Sequence, residues 1–166
     1  GFNSLFATSS IKAARAYYQE FKRQQADLPE ARRLSVGIIY SYAPNAEAPG
    51  TGLLSEESMD PSALSQDDRA FLDEAIADYN QQFGTNYGTG ASGFESYYES
   101  LSQALTDRRI DLVIVVDMFL TGFDSKSLNT LWVDKNLRAH GLIQAFSRTN
   151  RILNSVKTFG NIVCFR

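Results

Sequence analysis

Residues Leu112–Val116 read LVIVV, an unbroken run of aliphatic side chains that ends at Asp117. A strand with one wet face alternates apolar and polar residues, whereas a continuous run belongs to a strand covered on both faces. Such sheets are parallel, and the helices that connect their strands cover them. The rest of the chain supplies both kinds of element. Asn3–Thr8 (NSLFAT) and residues 34–40 (LSVGIIY) are strand candidates upstream, and residues 131–133 (LWV) and 161–165 (NIVCF) are two more downstream. Ser9 and Ser10 can cap a helix in which Ala13, Ala14, Tyr17, Tyr18 and Phe21 recur at helical spacing up to about Gln25, with Pro29 beyond its end. Ser65 with Asp68 makes a capping box, Leu64 is placed for a hydrophobic staple, and Phe71, Leu72, Ala75, Ile76 and Tyr79 give the next helix a face. Ser92 with Glu95 spells a second box ahead of Phe94, Tyr97, Tyr98, Leu101 and Leu105, and residues 139–153 read as a last helix. Strands alternating with helices predict an α/β fold, a three-layer sandwich around a mostly parallel sheet.

The 166 residues are 43% hydrophobic and 21% charged, with four prolines, which excludes a disordered tail, a collagen-like repeat and a disulfide scaffold. The single cysteine, Cys164, cannot form an internal bridge; it fits a cytoplasmic chain and is expected to pack in the core. No stretch approaches the ~20 apolar residues that span a bilayer, and no signal peptide opens the chain. Its start at Gly1 and its strand-like last residues read as part of a longer polypeptide. The net charge of −3 is unevenly spread. Residues 1–33 carry six basic and three acidic side chains, net +3; residues 34–104 carry one and eleven, net −10; residues 105–166 carry nine and five, net +4. The overall balance therefore does not exclude a polyanionic partner. Residues 41–66 hold three of the four prolines and show no periodicity, and residues 84–92 are glycine-rich; both read as loop or insert regions.

Two segments carry chemistry. The first is VVDMFLTGFD, residues 115–124, which follows the best strand; in open α/β sheets ligands sit beyond the carboxyl ends of strands. Gly122 lets the backbone approach a ligand or serves a turn, and Asp124 accepts from a ribose hydroxyl or caps that turn. The second is QAFSRTNR, residues 144–151. At about 100° per residue, Gln144, Arg148 and Arg151 fall within about 60° of one another, opposite Leu142, Phe146 and Leu153. Two guanidinium forks beside an amide suit phosphate oxygens; the alternative is a solvated basic face. The chain has no GxxxxGK[ST] loop of its own. One histidine, His140, and one cysteine cannot build a zinc centre, so no metal site is expected. Trp132 and the tyrosines are spaced like core residues and not like base-stacking platforms.

In the order NSLFATSS, helix, LVIVVDMFLTGFD, TLWVDK, LIQAFSRTNR, the chain resembles the second RecA-like domain of superfamily 2 helicases. More closely, it resembles the motor (restriction) subunit of type I restriction-modification enzymes. The likeness covers most of the chain outside residues 41–90. The resemblance implies a RecA-like P-loop NTPase fold, the C-terminal helicase domain, over residues 1–166. It puts motif IV at Phe6 to Ser10, motif V at Asp117 to Asp124 and motif VI at Gln144 to Arg151. It implies that Arg148 and Arg151 are catalytic, reaching the γ-phosphate of ATP, and that Gln144, Gly122 and Asp124 lie against the nucleotide. Thr8, Ser9, Asp117 and Thr121 would contact the DNA backbone or couple that contact to the ATP cleft. ATP and Mg2+ would be held mainly by a first RecA-like domain outside this chain, with neither bound to these residues alone. The implied partners are double-stranded DNA and the methyltransferase and specificity subunits of a cytoplasmic restriction complex, with no membrane. Ser147, where RNA helicases carry glycine, and Thr121, where they often carry arginine, fit a duplex-DNA motor. Two other readings compete. One is a non-catalytic α/β scaffold or interaction module derived from a helicase domain, against which the presence of both arginines argues. The other is a Rossmann or flavodoxin-type nucleotide binder, against which the missing glycine fingerprint argues.

Overall fold

The structure, a computed structural model, describes residues 2–40, 61, 64–116, 126–135, 149 and 157–165. Its strands are β1 (Asn3–Thr8), β2 (Val36–Tyr40), β3 (Leu112–Val116), β4 (Leu128–Asp134) and β5 (Asn161–Cys164). They form one sheet in the order β2-β3-β1-β4-β5, and every pairing is parallel. The LVIVV run is β3, buried along its whole length between β2 and β1 as its lack of alternation requires. β4 is longer than its apolar centre suggests. Asn129 is skipped where the register shifts, so Asn3 pairs with Leu128 but Ser4 with Thr130.

Among the described residues the α-helices with both ends defined are α1 (Ile11–Gln25), α2 (Gln66–Phe83) and α3 (Ala91–Thr106). Ser10 caps α1, its hydroxyl accepting from the Ala13 N–H at 3.1 Å, and Lys22 and Arg23 complement the dipole in its last turn. Beyond the helix, the Arg33 guanidinium donates to the Ala26 and Leu28 carbonyls at 2.9 and 2.8 Å. Ser65 caps α2 and also bonds the Asp68 carboxylate at 2.8 Å, and Leu64 and Pro61 are buried ahead of it. Gly84 ends α2 at φ +68°, the left-handed region where a Cβ is penalised.

Residues paired in parallel register share a face of the sheet. Ile38, Ile114, Phe6 and Trp132 lie in one such row. Phe6 meets Tyr17 of α1 with ring centroids 4.5 Å apart, so α1 covers this face. Gly37 points the other way, into Leu101 of α3, which covers the second face. α2 touches both layers: Arg15 of α1 bonds Asp68 at 2.8 Å, and Tyr79 meets the Tyr97 ring of α3 edge-on at 5.2 Å. Three layers therefore enclose the core.

Three expectations are corrected. α3 begins at Ala91 with Gly90 as its cap, so Ser92 and Glu95 both lie within the helix and do not cap it. Cys164 is exposed, not packed in the core, because β5 is an edge strand. Trp132 is 36% exposed and stacks on Phe165 at 6.3 Å, on the part of the first face that α1 leaves open.

Candidate functional site

Because all the described strands are parallel, their carboxyl ends lie along one edge of the sheet. The register aligns them residue by residue: Tyr40 beside Val116, Val116 beside Thr8, and Thr8 beside Asp134. Thr8 is fully buried, and its hydroxyl donates to the Val115 carbonyl at 3.1 Å, with the Ser10 carbonyl at 3.4 Å as the longer alternative. The end of β1 is thereby tied to the end of β3. Ser9, next in the chain, is exposed at the turn into α1. Asp134 is 7% exposed and accepts from the Tyr17 hydroxyl at 3.0 Å, which ties β4 to α1.

Tyr17 and Asp134 are the members of this edge that sequence reasoning missed. Tyr17 counted only as part of the apolar face of its helix. Asp134 closes WVD, residues 132–134, as Asp117 closes VVD, residues 115–117. Two apolar residues and an aspartate at the end of a strand are the signal that could have found it.

Of the residues expected to carry function, Thr8 and Ser9 are described and stand together at the end of β1 beside β3. Asp117, Thr121, Gly122, Asp124, Gln144, Arg148 and Arg151 lie outside the described residues, as does His140. Within QAFSRTNR one residue is described. Thr149 is helical and 2% exposed. The Lys157 ammonium, itself 1% exposed, donates to the Thr149 carbonyl at 2.9 Å. Burial pushes this ammonium below the ordinary lysine value of 10.5.

Among the described residues no group of three His, Cys, Asp or Glu side chains could hold a metal ion. None of their helices is long and apolar enough to cross a membrane. A cavity of about 150 Å³ lies between α1 and α2, lined by Tyr18, Lys22, Leu34, Val36, Asp78 and Tyr79 among others. It opens beside Val36, the first residue of β2, at the opposite end of that strand from the edge just described.

The family described as type I restriction enzyme subunit R domain 3 matches residues 1–166. The endonuclease subunit of a type I restriction enzyme from Staphylococcus aureus (strain MRSA252) is 41% identical over 167 residues, covering 99% of this chain and 17% of that subunit. Its counterpart from Staphylococcus saprophyticus is 43% identical over 167 residues with the same coverage. The chain thus spans 17% of the length of these relatives. Domain 2 of the DEAD-box helicase Mss116p, solved with an RNA duplex, overlays 98% of this chain and 41% of its own at 9% identity, with a TM-score of 0.47. The fold is read from the sheet order and register, not from that overlay.

Proposed function

The chain belongs to the family of domain 3 of type I restriction enzyme R subunits, and from that premise we propose that it is the second RecA-like half of an ATP-driven motor that moves double-stranded DNA. The match over the whole chain carries this reading. ATP with Mg2+ would be held mainly by a first RecA-like domain elsewhere in the subunit, since this chain has no phosphate loop. Arg148 and Arg151 reach across to the γ-phosphate and stabilise the charge that develops as it leaves. Gln144 senses the nucleotide, and Gly122 and Asp124 stand near the ribose. Asp117 follows β3 directly in the chain, and Ser9 is exposed at the end of β1, the strand next to β3. These two with Thr121 contact the DNA backbone, which positions a motor without reading sequence. Thr8 is buried, so it couples: its hydroxyl links the strand that leads to Ser9 with the strand that leads to Asp117. The methyltransferase and specificity subunits are the proposed partners.

The test is steady-state ATPase and DNA translocation by the full-length subunit in its reconstituted complex. Arg148→Ala and Arg151→Ala should lower turnover by roughly 10³–10⁵, the range for arginines that contact a leaving phosphoryl group. Arg151→Lys should rescue poorly, because an ammonium lacks the planar fork. The fall should lie in kcat more than in KM, since the charge grows during the reaction. DNA-stimulated ATPase close to wild type in both alanine variants would leave a solvated basic face in place of the arginine fingers.

A further inference from the structure

Four Phe and Trp side chains are exposed among the described residues: Phe2, Trp132, Phe159 and Phe165. They share one surface. Trp132 stands in the first-face row with Phe6 and Val163, and Phe165 stacks on Trp132 at 6.3 Å and meets Phe6 at 6.0 Å. Phe2 and Phe159 continue the alternation of β1 and β5 on the same side, and Phe159 is 63% exposed. Parallel sheets are covered on both faces, yet no described helix lies over this strip beside α1. The topology gives the reason. Crossovers between parallel strands are right-handed, so connections that step the same way across the sheet lie on the same face. α1 lies in the step from β1 to β2 and covers the first face. The steps from β2 to β3, β3 to β4 and β4 to β5 all run the other way in the order β2-β3-β1-β4-β5. α3, within the first of these, lies on the second face, so the same side is due to the other two. Thr149, a described residue of the last step, is found there. Gly160 falls on the Ile162 side of β5, in line with Gly37, and a Cβ on it would touch the Thr149 backbone. Handedness therefore assigns β4 and β5 no cover on the first face from the connections within residues 1–166.

We propose that the first face over β4 and β5 seats an amphipathic helix from the same subunit outside residues 1–166, its aliphatic side laid on Trp132, Phe159 and Phe165. The inference rests on membership of the family and not on the motor reading above. The relatives supply the chain for it, since residues 1–166 match 17% of their length. A segment tethered to the same polypeptide meets the face at high effective concentration and loses little translational freedom on docking. The chemistry of the strip selects an apolar protein surface. Large aromatic side chains side by side mark interaction sites. No Lys or Arg stands among Thr130, Trp132, Phe159, Asn161, Val163 and Phe165, whereas a nucleic acid needs cations for its phosphates.

The test uses the full-length subunit, first alone and then with the methyltransferase and specificity subunits and with DNA. Hydroxyl-radical footprinting reads the oxidation of Trp132, Phe159 and Phe165 by mass spectrometry. The expected result is loss of oxidation at all three in the subunit alone, at a dose that modifies them in the urea-unfolded subunit. A photoreactive p-benzoylphenylalanine in place of Phe165 then identifies the occupant, and the same replacement at Phe159, the most exposed of the strip, serves should the first variant not fold. The cross-linked product should have the mass of one subunit and join the probe to a peptide outside residues 1–166 with apolar residues at helical spacing. Oxidation of the three rings in the subunit alone overturns the proposal, whether or not other subunits or DNA later protect them. So does a cross-link to a peptide within residues 1–166, to a second copy or to another subunit, and so does the absence of a cross-link from both positions. ATPase activity is not read, so failure of the arginine assignment leaves this result standing, and the reverse holds as well.

Discussion

Gly37 is the second residue of β2, where side chains from two places converge. A Cβ built on it would stand 2.8 Å from Leu101 Cδ1 and 2.9 Å from Ile110 Cδ1, nearer than real contacts allow. Both obstacles are the free ends of flexible side chains, so a single methyl can be accommodated by small rotations. Gly37→Ala should change stability by no more than about 1 kcal/mol, because the relief of glycine's entropy cost in a strand offsets the crowding. Gly37→Val adds two more carbons against α3 and the segment that leads into β3, and should cost about 1–3 kcal/mol. Urea unfolding midpoints of the two variants check this, and equal midpoints would mean that α3 is free to move away. Exposed Cys164 makes the complementary point. The residue itself is apolar in character, and only the rank of its strand in the sheet leaves it at the surface.

Helix starts separate real caps from apparent ones. Ser10 and Ser65 each accept a bond from the third residue on, at 3.1 Å in both cases. Ser10→Ala and Ser65→Ala should each cost about 1 kcal/mol. Ser92→Ala should cost nearly nothing, since its helix is already under way from Gly90. Thermal or urea unfolding of the three variants tells them apart, and a penalty at Ser92 equal to the others would restore the box that its sequence spells. α3 also shows why a motif can mislead. Ser92-Gly-Phe-Glu95 has the residues of a capping box, but the chain enters the helix through two small residues earlier, Gly90 and Ala91. β1 and β3 were legible to the residue, β3 from its unbroken apolar run and β1 from a short apolar centre bounded by polar residues. The limits of β4 were not, because Asn129 and Thr130 carry no apolar signal; Leu128 and Thr130 are drawn into the strand by pairing with Asn3 and Ser4, and Asn129 is carried between them unpaired. The order of the strands has no local signature at all. That is why the sequence of WVD can mark Asp134 as a strand-end aspartate, while nothing local tells that it stands beside Thr8.

Four buried tyrosines stitch the layers together across the whole molecule. Tyr18 donates from α1 to Asp78 of α2 at 3.0 Å, and Tyr40 from β2 to the Asp68 carbonyl at 2.7 Å. Tyr79 shares a bond with Ser100 of α3 at 2.9 Å, and Tyr97 donates from α3 to the Ile38 carbonyl of β2 at 2.8 Å. Burial raises all four above the ordinary value of 10.0, with the carboxylate of Asp78 adding to it at Tyr18. Above pH 10 the unfolded chain therefore releases these protons while the folded one keeps them. The stability they contribute is complete below pH 10 and declines as pH rises past it. Phenolate absorbance followed alongside circular dichroism should show part of the eight tyrosines ionising only as the fold is lost; eight ordinary titrations in an intact fold would contradict it. The sheet order also governs how the chain comes into being. β1 is the central strand and the first one synthesised, yet the Val115 carbonyl that Thr8 bonds lies 107 positions further on. At about 5–20 residues per second a ribosome takes roughly 5–20 s to cover that distance. For that time NSLFAT lacks both strands that flank it in the sheet. Stalled nascent chains should stay open to protease while they end ahead of β3, and gain protection at β1 only once β3 and then β4 have emerged; early protection would mean that β1 first finds a partner it later exchanges.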